Sequence, residues 1–247
     1  LDRVAKEKLE PFIDKSYQDL AEYVNAYEQK MQMKREVIAN KGIWVAKKRY
    51  ILNAHDVEGV RYKEPKLKIM GVEAVKSSTP AACREKIKDA LKIIMTKDNQ
   101  ELNSFIQDFR KDFMNLKPEL IAYPRSVNGL NKWTESHNLF KKGAPIHCKG
   151  AILYNHLLQD KKLQNKYPYI QEGDKIKFLH MKTPNVYQST SISFMTKLPN
   201  ELNLHNFIDY DMQFEKSFVE PLKFITDIIR WQIDSSYGTQ GTLEGFF

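Results

Sequence analysis

Four consecutive residues, Lys47-Lys48-Arg49-Tyr50, put three cations and a phenol side by side inside the otherwise apolar run GIWVAKKRYILNA. Read as one strand, alternation places Trp44, Ala46, Lys48, Tyr50 and Leu52 on one face. Ile43, Val45, Lys47, Arg49 and Ile51 fall on the other. Bare cations in such a strand are costly to desolvate unless a partner neutralises them. An ammonium and a phenol on one face can donate hydrogen bonds to a base edge and to a backbone phosphate. The chemistry expected of these four residues is recognition of a polyanion.

Other groups with chemical potential are less promising. Asp56 and Glu58 form a carboxylate pair, but they sit in a polar, Gly-containing stretch that reads as a turn, where acids are normally solvated. His147 and Cys148 are neighbours, so in an extended chain they point apart, which is poor geometry for a base and its nucleophile. His147 is expected at the surface. No GxxxxGK[ST] loop, GxGxxG turn or HExxH pair is present. The last residues give a different signal. Gln240, Leu243, Phe246 and Phe247 spell Q-x-x-L-x-x-F-F, the pattern of sliding-clamp-binding peptides. In that pattern an aliphatic and two aromatic anchors enter an apolar pocket while the Gln bonds its rim.

The elements that must position these groups read as follows. Residues 2–31 are predicted helical, with Leu9, Phe12, Ile13, Leu20, Tyr23, Val24, Tyr27 and Met31 on one face and a possible kink at Pro11. MKREVIAN and GIWVAKKRYILNA are predicted strands, and Val60 to Tyr62 returns after Asp56 to Gly59 as an antiparallel partner. Thr79 is the expected N-cap of a helix with Pro80 at its first position. That helix runs to Met95 with Cys83, Ile87, Leu91 and Ile94 inward. After a turn at KDNQ, the next carries Leu102, Phe105, Ile106, Phe109 and Phe113 on one stripe. LIAYPRSV, DKIKFLHMK and SISFMT are candidate strands and KGAILYNHLLQD a helix. Gln213 to Trp231 closes the chain as a helix, with a possible break at Pro221.

Composition fits a polyanion partner. Among 247 residues, 39 Lys and Arg against 31 Asp and Glu give a formal charge of +8. A pI near 9.2 favours nucleic acid or an acidic membrane surface. No run approaches the ~20 apolar residues of a transmembrane helix, and LDRVAKEKLEPF lacks the apolar core of a signal peptide. Two cysteines, Cys83 and Cys148, exclude a disulfide framework and point to a reducing compartment. Their surroundings argue against a zinc site. The first residue is Leu, not Met, which points to a processed product or a fragment.

The stretch MKREVIANKGIWVAKKRYILNAHDVEGVRYKEPKLKIMGVEAVKSSTP resembles family B DNA polymerases of the T-even-phage type. KKRY, EPKLKIMG and the KSSTP helix start occur in the family's order. VAKEKLEPFIDKSY upstream and FEKSFVEPL downstream are also similar to it. The likeness is closest over residues 31–116 and 207–223, and thin over 125–205.

This resemblance implies an α+β fold, with antiparallel palm strands and a largely helical thumb. Residues 1–78 correspond to the C-terminal part of a palm, 79–232 to a thumb, and 233–247 to a flexible clamp-binding tail. The family pattern sets Lys48 and Tyr50, within Lys47–Tyr50, against the primer strand near its 3′ end, and Lys76 in the minor groove. Lys149 is a phosphate contact or plain surface. The family polymerises with Mg²⁺ held by aspartates on the DxxSLYPS and YGDTDS motifs. Neither motif is in this chain, so no catalytic or metal-binding residue is expected here. The resemblance thus implies a part of a DNA-directed DNA polymerase, inactive alone. It is either a fragment or one half of a split enzyme. Its partners would be primer-template DNA, a sliding clamp and the catalytic part, in the cytoplasm of a host cell if viral. The alternatives are a non-catalytic DNA- and clamp-binding module, and an unrelated basic protein.

Overall fold

β-Branched and aromatic residues from Val37 onward build a three-stranded antiparallel meander of β1 (Val37–Ala46), β2 (Arg49–Val57) and β3 (Val60–Met70). The computed structural model describes residues 1–135 and 139–234. It divides into two units, Leu1–Met70 and Gly71–Phe247. The meander belongs to the first.

Both hairpins of the meander turn on two residues. At Glu58-Gly59 both φ angles are positive, 52° and 85°, as a type I′ turn requires. At Lys47-Lys48, Lys48 has φ 61°. GIWVAKKRYILNA is therefore two strands joined at the lysines, where one continuous strand was expected. A turn keeps both ammonium groups in water, which a sheet face would not. A two-residue turn alone would set residues of opposite parity against each other, and a register shift between Trp44 and Ala46 restores the pairing of like with like. Trp44 pairs with Tyr50, Gly42 with Leu52 and Ile43 with Ile51. Trp44, Tyr50 and Leu52 thus share one face, and buried Ile43 and Ile51 the other. Past the shift Ala46 pairs with Arg49 and leaves the Trp44 face, and the lysines leave the sheet in the turn.

The helix before the meander consists of a turn at Asp2–Val4, a π-helical segment Ala5–Leu9 and α1 (Glu10–Tyr23). It stops at Tyr23, short of the expected residue 31. Asn25 turns left-handed at φ 50°. The Ala26 N–H then donates to the Ala21 carbonyl at 2.8 Å and the Asn25 N–H to that of Glu22 at 3.1 Å. These are the two bonds of a Schellman end. The helix buries Ala5 and Ala21, while Leu9, Phe12, Leu20 and Tyr23 are exposed. The apolar stripe legible in the sequence points outward.

In the second unit, α2 (Ala81–Thr96) starts one residue later than expected, with Pro80 as its cap. Cys83, Ile87, Leu91 and Ile94 are buried, as their spacing requires. Asp98 caps α3 (Asn99–Phe113) by accepting the Glu101 N–H at 2.9 Å. The chain continues through α4 (Pro118–Ile121), β4 (Tyr123–Ser126), α5 (Leu130–Trp133), α6 (Ile146–Asp160), β5 (Lys175–His180) and β6 (Ser191–Phe194). The strands form a second antiparallel sheet, β4-β5-β6. Helix α6 lies against β6 at Gly150, where a Cβ would come within 2.7 Å of the Ser193 backbone nitrogen. The closing helix comprises α7 (Tyr210–Phe214), a π segment Glu215–Val219 and α8 (Glu220–Thr226). Its Phe214 and Phe218 meet Phe109 and Phe113 of α3, with Phe109 and Phe218 centroids 4.7 Å apart. Gln213 ties helix to sheet. Its amide donates to the Ile121 carbonyl at 2.6 Å and accepts from the His180 N–H at 3.2 Å.

Neither proline breaks its helix. Pro11 and Pro221 each follow a glutamate that closes a π turn, Glu10 to the Ala5 carbonyl and Glu220 to that of Glu215. Proline cannot donate to the carbonyl four residues back and its ring crowds it. The wider i→i+5 turn just upstream relieves the crowding. Two antiparallel sheets with separate helices make the fold class α+β. No helix among the described residues is long and apolar enough to cross a membrane.

Candidate nucleic-acid interface

The β1–β2 turn presents its cations by geometry alone. Lys47 and Lys48 are exposed, and Arg49 and Tyr50 are half-buried at the start of β2. Among the described residues neither Lys47 nor Lys48 makes an ion pair. Residues 41–70 contain eight Lys or Arg against three Asp or Glu, so this sheet is a positive surface. Lys68 is committed to Glu36, which raises its pKa. Lys66 lies over the Tyr62 ring, 4.4 Å from its centroid. Lys48 holds a left-handed backbone that favours glycine, at a cost of roughly 1–2 kcal/mol for a side-chain-bearing residue. Strain of this kind collects at functional positions.

The opposite end of the same sheet is neutralised. Asp56 is not a solvated turn acid, as its sequence setting suggested, but a buried residue of β2. The Arg35 guanidinium lies 2.7 Å from one oxygen and 3.0 Å from Asp2. The Gly59 N–H donates to Asp56 at 3.0 Å, and Arg61 lies 3.9 Å away. Arg35 holds the Asp56 carboxyl below the usual carboxylate range, with the Gly59 bond reinforcing it. A depressed carboxyl pKa adds stability that is present above the unfolded value, about 3.9, and lost as pH falls through the folded one. The wild-type first unit is therefore expected to lose urea resistance steeply below about pH 4. Asp56→Asn should be weaker at pH 7 and show a shallower acid loss. Parallel pH profiles for the two proteins would contradict this.

Lys76 and Lys149 belong to separate elements of the second unit. Lys76 follows a short turn, Glu73–Val75, and its ammonium sits 2.7 Å from the Glu73 carboxylate. The pair is partly exposed, so exchanging Glu73 for another anion costs about 0–1 kcal/mol. Lys149, on the first turns of α6, lies over the Phe140 ring at 5.5 Å. The structure adds neighbours to it. Thr134 and Phe140 bridge two short segments, and the Lys141 N–H donates to the Trp133 carbonyl at 2.9 Å. Lys132 lies over the Trp133 ring at 4.9 Å, and Lys141 and Lys142 are exposed. The interleaving of cations and aromatics in NKW and LFKK is the sequence signal for this cluster.

His147 and Cys148 are helical, in the first turn of α6, not extended. The His147 ring packs 6.3 Å from Phe178, and burial lowers its pKa, with Arg125 adding to the effect. Cys148 is buried, which pushes its thiol up. Among the described residues no group of three or more His, Cys, Asp or Glu is placed to hold a metal ion. Gln240, Leu243, Phe246 and Phe247 lie outside the described residues.

No protein-family model matches the chain. Two curated proteins are similar to it. One, from Enterobacteria phage T4, is described as a DNA-directed DNA polymerase and is 32% identical over 234 residues. The other, a DNA-directed DNA polymerase from Escherichia phage RB69, is 35% identical over 239 residues. The alignments cover 90% and 92% of this chain but 26% of each relative. The chain thus spans about a quarter of the length of the curated relatives it matches.

Proposed function

We propose that this chain, a relative of the T-even-phage family B DNA polymerases, is the C-terminal portion of a DNA-directed DNA polymerase that grips primer-template duplex during replication. The observation that carries this is the exposed, unpaired Lys47-Lys48 turn in a chain aligned over nine-tenths of its length with two phage DNA polymerases. Residues 1–78 then act as the end of a palm and 79–232 as a thumb. The segment 233–247 is a tether to a sliding clamp through Gln240, Leu243, Phe246 and Phe247. Tethering raises the local concentration of DNA without demanding a tight grip.

The work divides by chemistry. Lys48, with Lys47 and Arg49, meets phosphates near the primer 3′ end, and Tyr50 adds a phenolic donor. Lys76 reaches the minor groove, where an acceptor is present in every correct base pair. Such a contact senses pair geometry, not sequence. Lys149, joined by Lys132, Lys141 and Lys142, holds duplex phosphates at a distance from the terminus. Mg²⁺ would be held by acids outside this chain and would supply the phosphoryl-transfer chemistry in the complete enzyme. The surroundings would be the host cytoplasm.

The outward stripe of Leu9, Phe12, Leu20 and Tyr23 favours a part of an enzyme over a stand-alone binding module. A stripe of exposed apolar side chains of this kind marks an interaction site, and the part carrying the catalytic aspartates is its natural cover. A direct test is binding to primer-template duplex across a salt series. Log affinity should fall linearly with log salt, each phosphate contact contributing about −0.9 to the slope. Salt-independent binding would refute the electrostatic grip.

A further inference from the structure

Beyond the basic turn, the solvent face of the first sheet carries a row of large side chains of which only Tyr50 has been given a role. Trp44, Tyr50 and Met70 stand opposite one another across all three strands. Trp44 is 67% exposed and Met70 43%. Gly42 shapes the row. A Cβ there would lie 2.7 Å from the Trp44 ring, so the absence of a side chain lets the indole fold back over its own strand. The next rank of the same face is Gly42, Leu52 and Lys68.

An exposed indole can be an accident, since single exposed apolar residues are common. Here it sits within a positive surface. The Lys47-Lys48 turn follows three residues along the strand, about 10 Å away. Aromatic faces beside a line of cations are how proteins hold single-stranded nucleic acid: the cations track the backbone and the ring takes a base. A protein partner seeking this row would have to neutralise the same lysines. A polynucleotide does so by its nature.

We infer that Trp44 is a stacking platform for one unpaired nucleobase, with its phosphates on Lys47 and Lys48. This rests on the DNA-gripping reading above and adds a base-stacking contact to a grip otherwise made to phosphates and the minor groove. An unpaired base is what a frayed primer end presents, so the platform would hold a terminus that has left its template.

The test compares two probes. One is a short single-stranded DNA oligonucleotide; the other has the same backbone with every base replaced by an abasic site. The full chain and its Trp44→Ala and Trp44→Phe variants are titrated against both. Trp44→Ala should bind the base-bearing strand about ten-fold more weakly and the abasic strand unchanged, with the salt slope preserved. Trp44→Phe should recover most of the loss. Equal affinities of wild type and Trp44→Ala for the base-bearing strand, or equal losses on both strands, would overturn the platform while leaving the phosphate grip standing. Failure of the wild-type chain to bind either strand or primer-template duplex would instead bring down the DNA-gripping reading, and the platform with it.

Discussion

Replacing Lys48 by glycine is expected to weaken DNA binding without weakening the fold. Lys48 holds φ 61° in a two-residue turn, a conformation glycine adopts freely. Relief of that strain is offset by the greater freedom of glycine in the unfolded chain, so stability should stay level or rise by up to about 1 kcal/mol. Binding should move the other way. Removing one phosphate contact lowers affinity about eight-fold near 0.1 M salt and flattens the salt slope by about 0.9. Adding Lys47→Ala should double both effects on the logarithmic scale. A purely structural turn predicts the same stability for Lys48→Gly but binding and salt slope unchanged. A salt series separates the two, and urea unfolding of the same preparations checks that the fold is intact.

The second large effect lies in the core that shapes the other unit. Phe218 is fully buried, with its ring centroid 4.7 Å from Phe109 and 5.4 Å from Phe214. Phe218→Ala should destabilise the second unit by about 3–5 kcal/mol, since a close-packed aromatic cluster cannot collapse onto the void. A loss below about 1 kcal/mol would mean that the cluster repacks, contrary to the interlocked geometry seen here. Because Phe218 sits in the π segment upstream of Pro221, this variant also reports whether that wide turn is held by packing. If it is, the loss should approach the upper end of the range.

Periodicity made the second unit's helices legible. Cys83, Ile87, Leu91 and Ile94, then Leu102, Ile106, Phe109 and Phe113, recur at helical spacing and are all buried. Glu58-Gly59 was legible because glycine marks the turn. The Lys47-Lys48 turn was not, for it contains no Gly, Pro, Asn or Asp, and β-branched residues on both sides extend the strand pattern. Only the cost of desolvating two ammonium groups hinted at it. Asp56 was misleading for the converse reason. Its neighbours look like a turn, and its partner Arg35 is 21 residues away. The end of the first helix followed Asn25, whose left-handed backbone overrode an apolar stripe running on to Met31. At the candidate interface, KKRY stood out because residue type and spacing coincided. Trp44 stood out once strand pairing set it beside Tyr50 and Met70, and the cluster of Lys132, Lys141 and Lys142, signalled faintly by NKW and LFKK, once the bridge at Thr134 brought those residues together.

The most direct measurement is primer extension with Mg²⁺ and deoxynucleotides, first with this chain alone and then with a T-even-phage polymerase fragment that carries the DxxSLYPS and YGDTDS motifs but lacks the segment aligned here. A part that grips DNA and leaves the metal chemistry to its partner predicts no synthesis by the chain alone and synthesis on mixing. Synthesis by the chain alone would contradict it, because acids competent to hold the metal ions would then have to lie among these 247 residues.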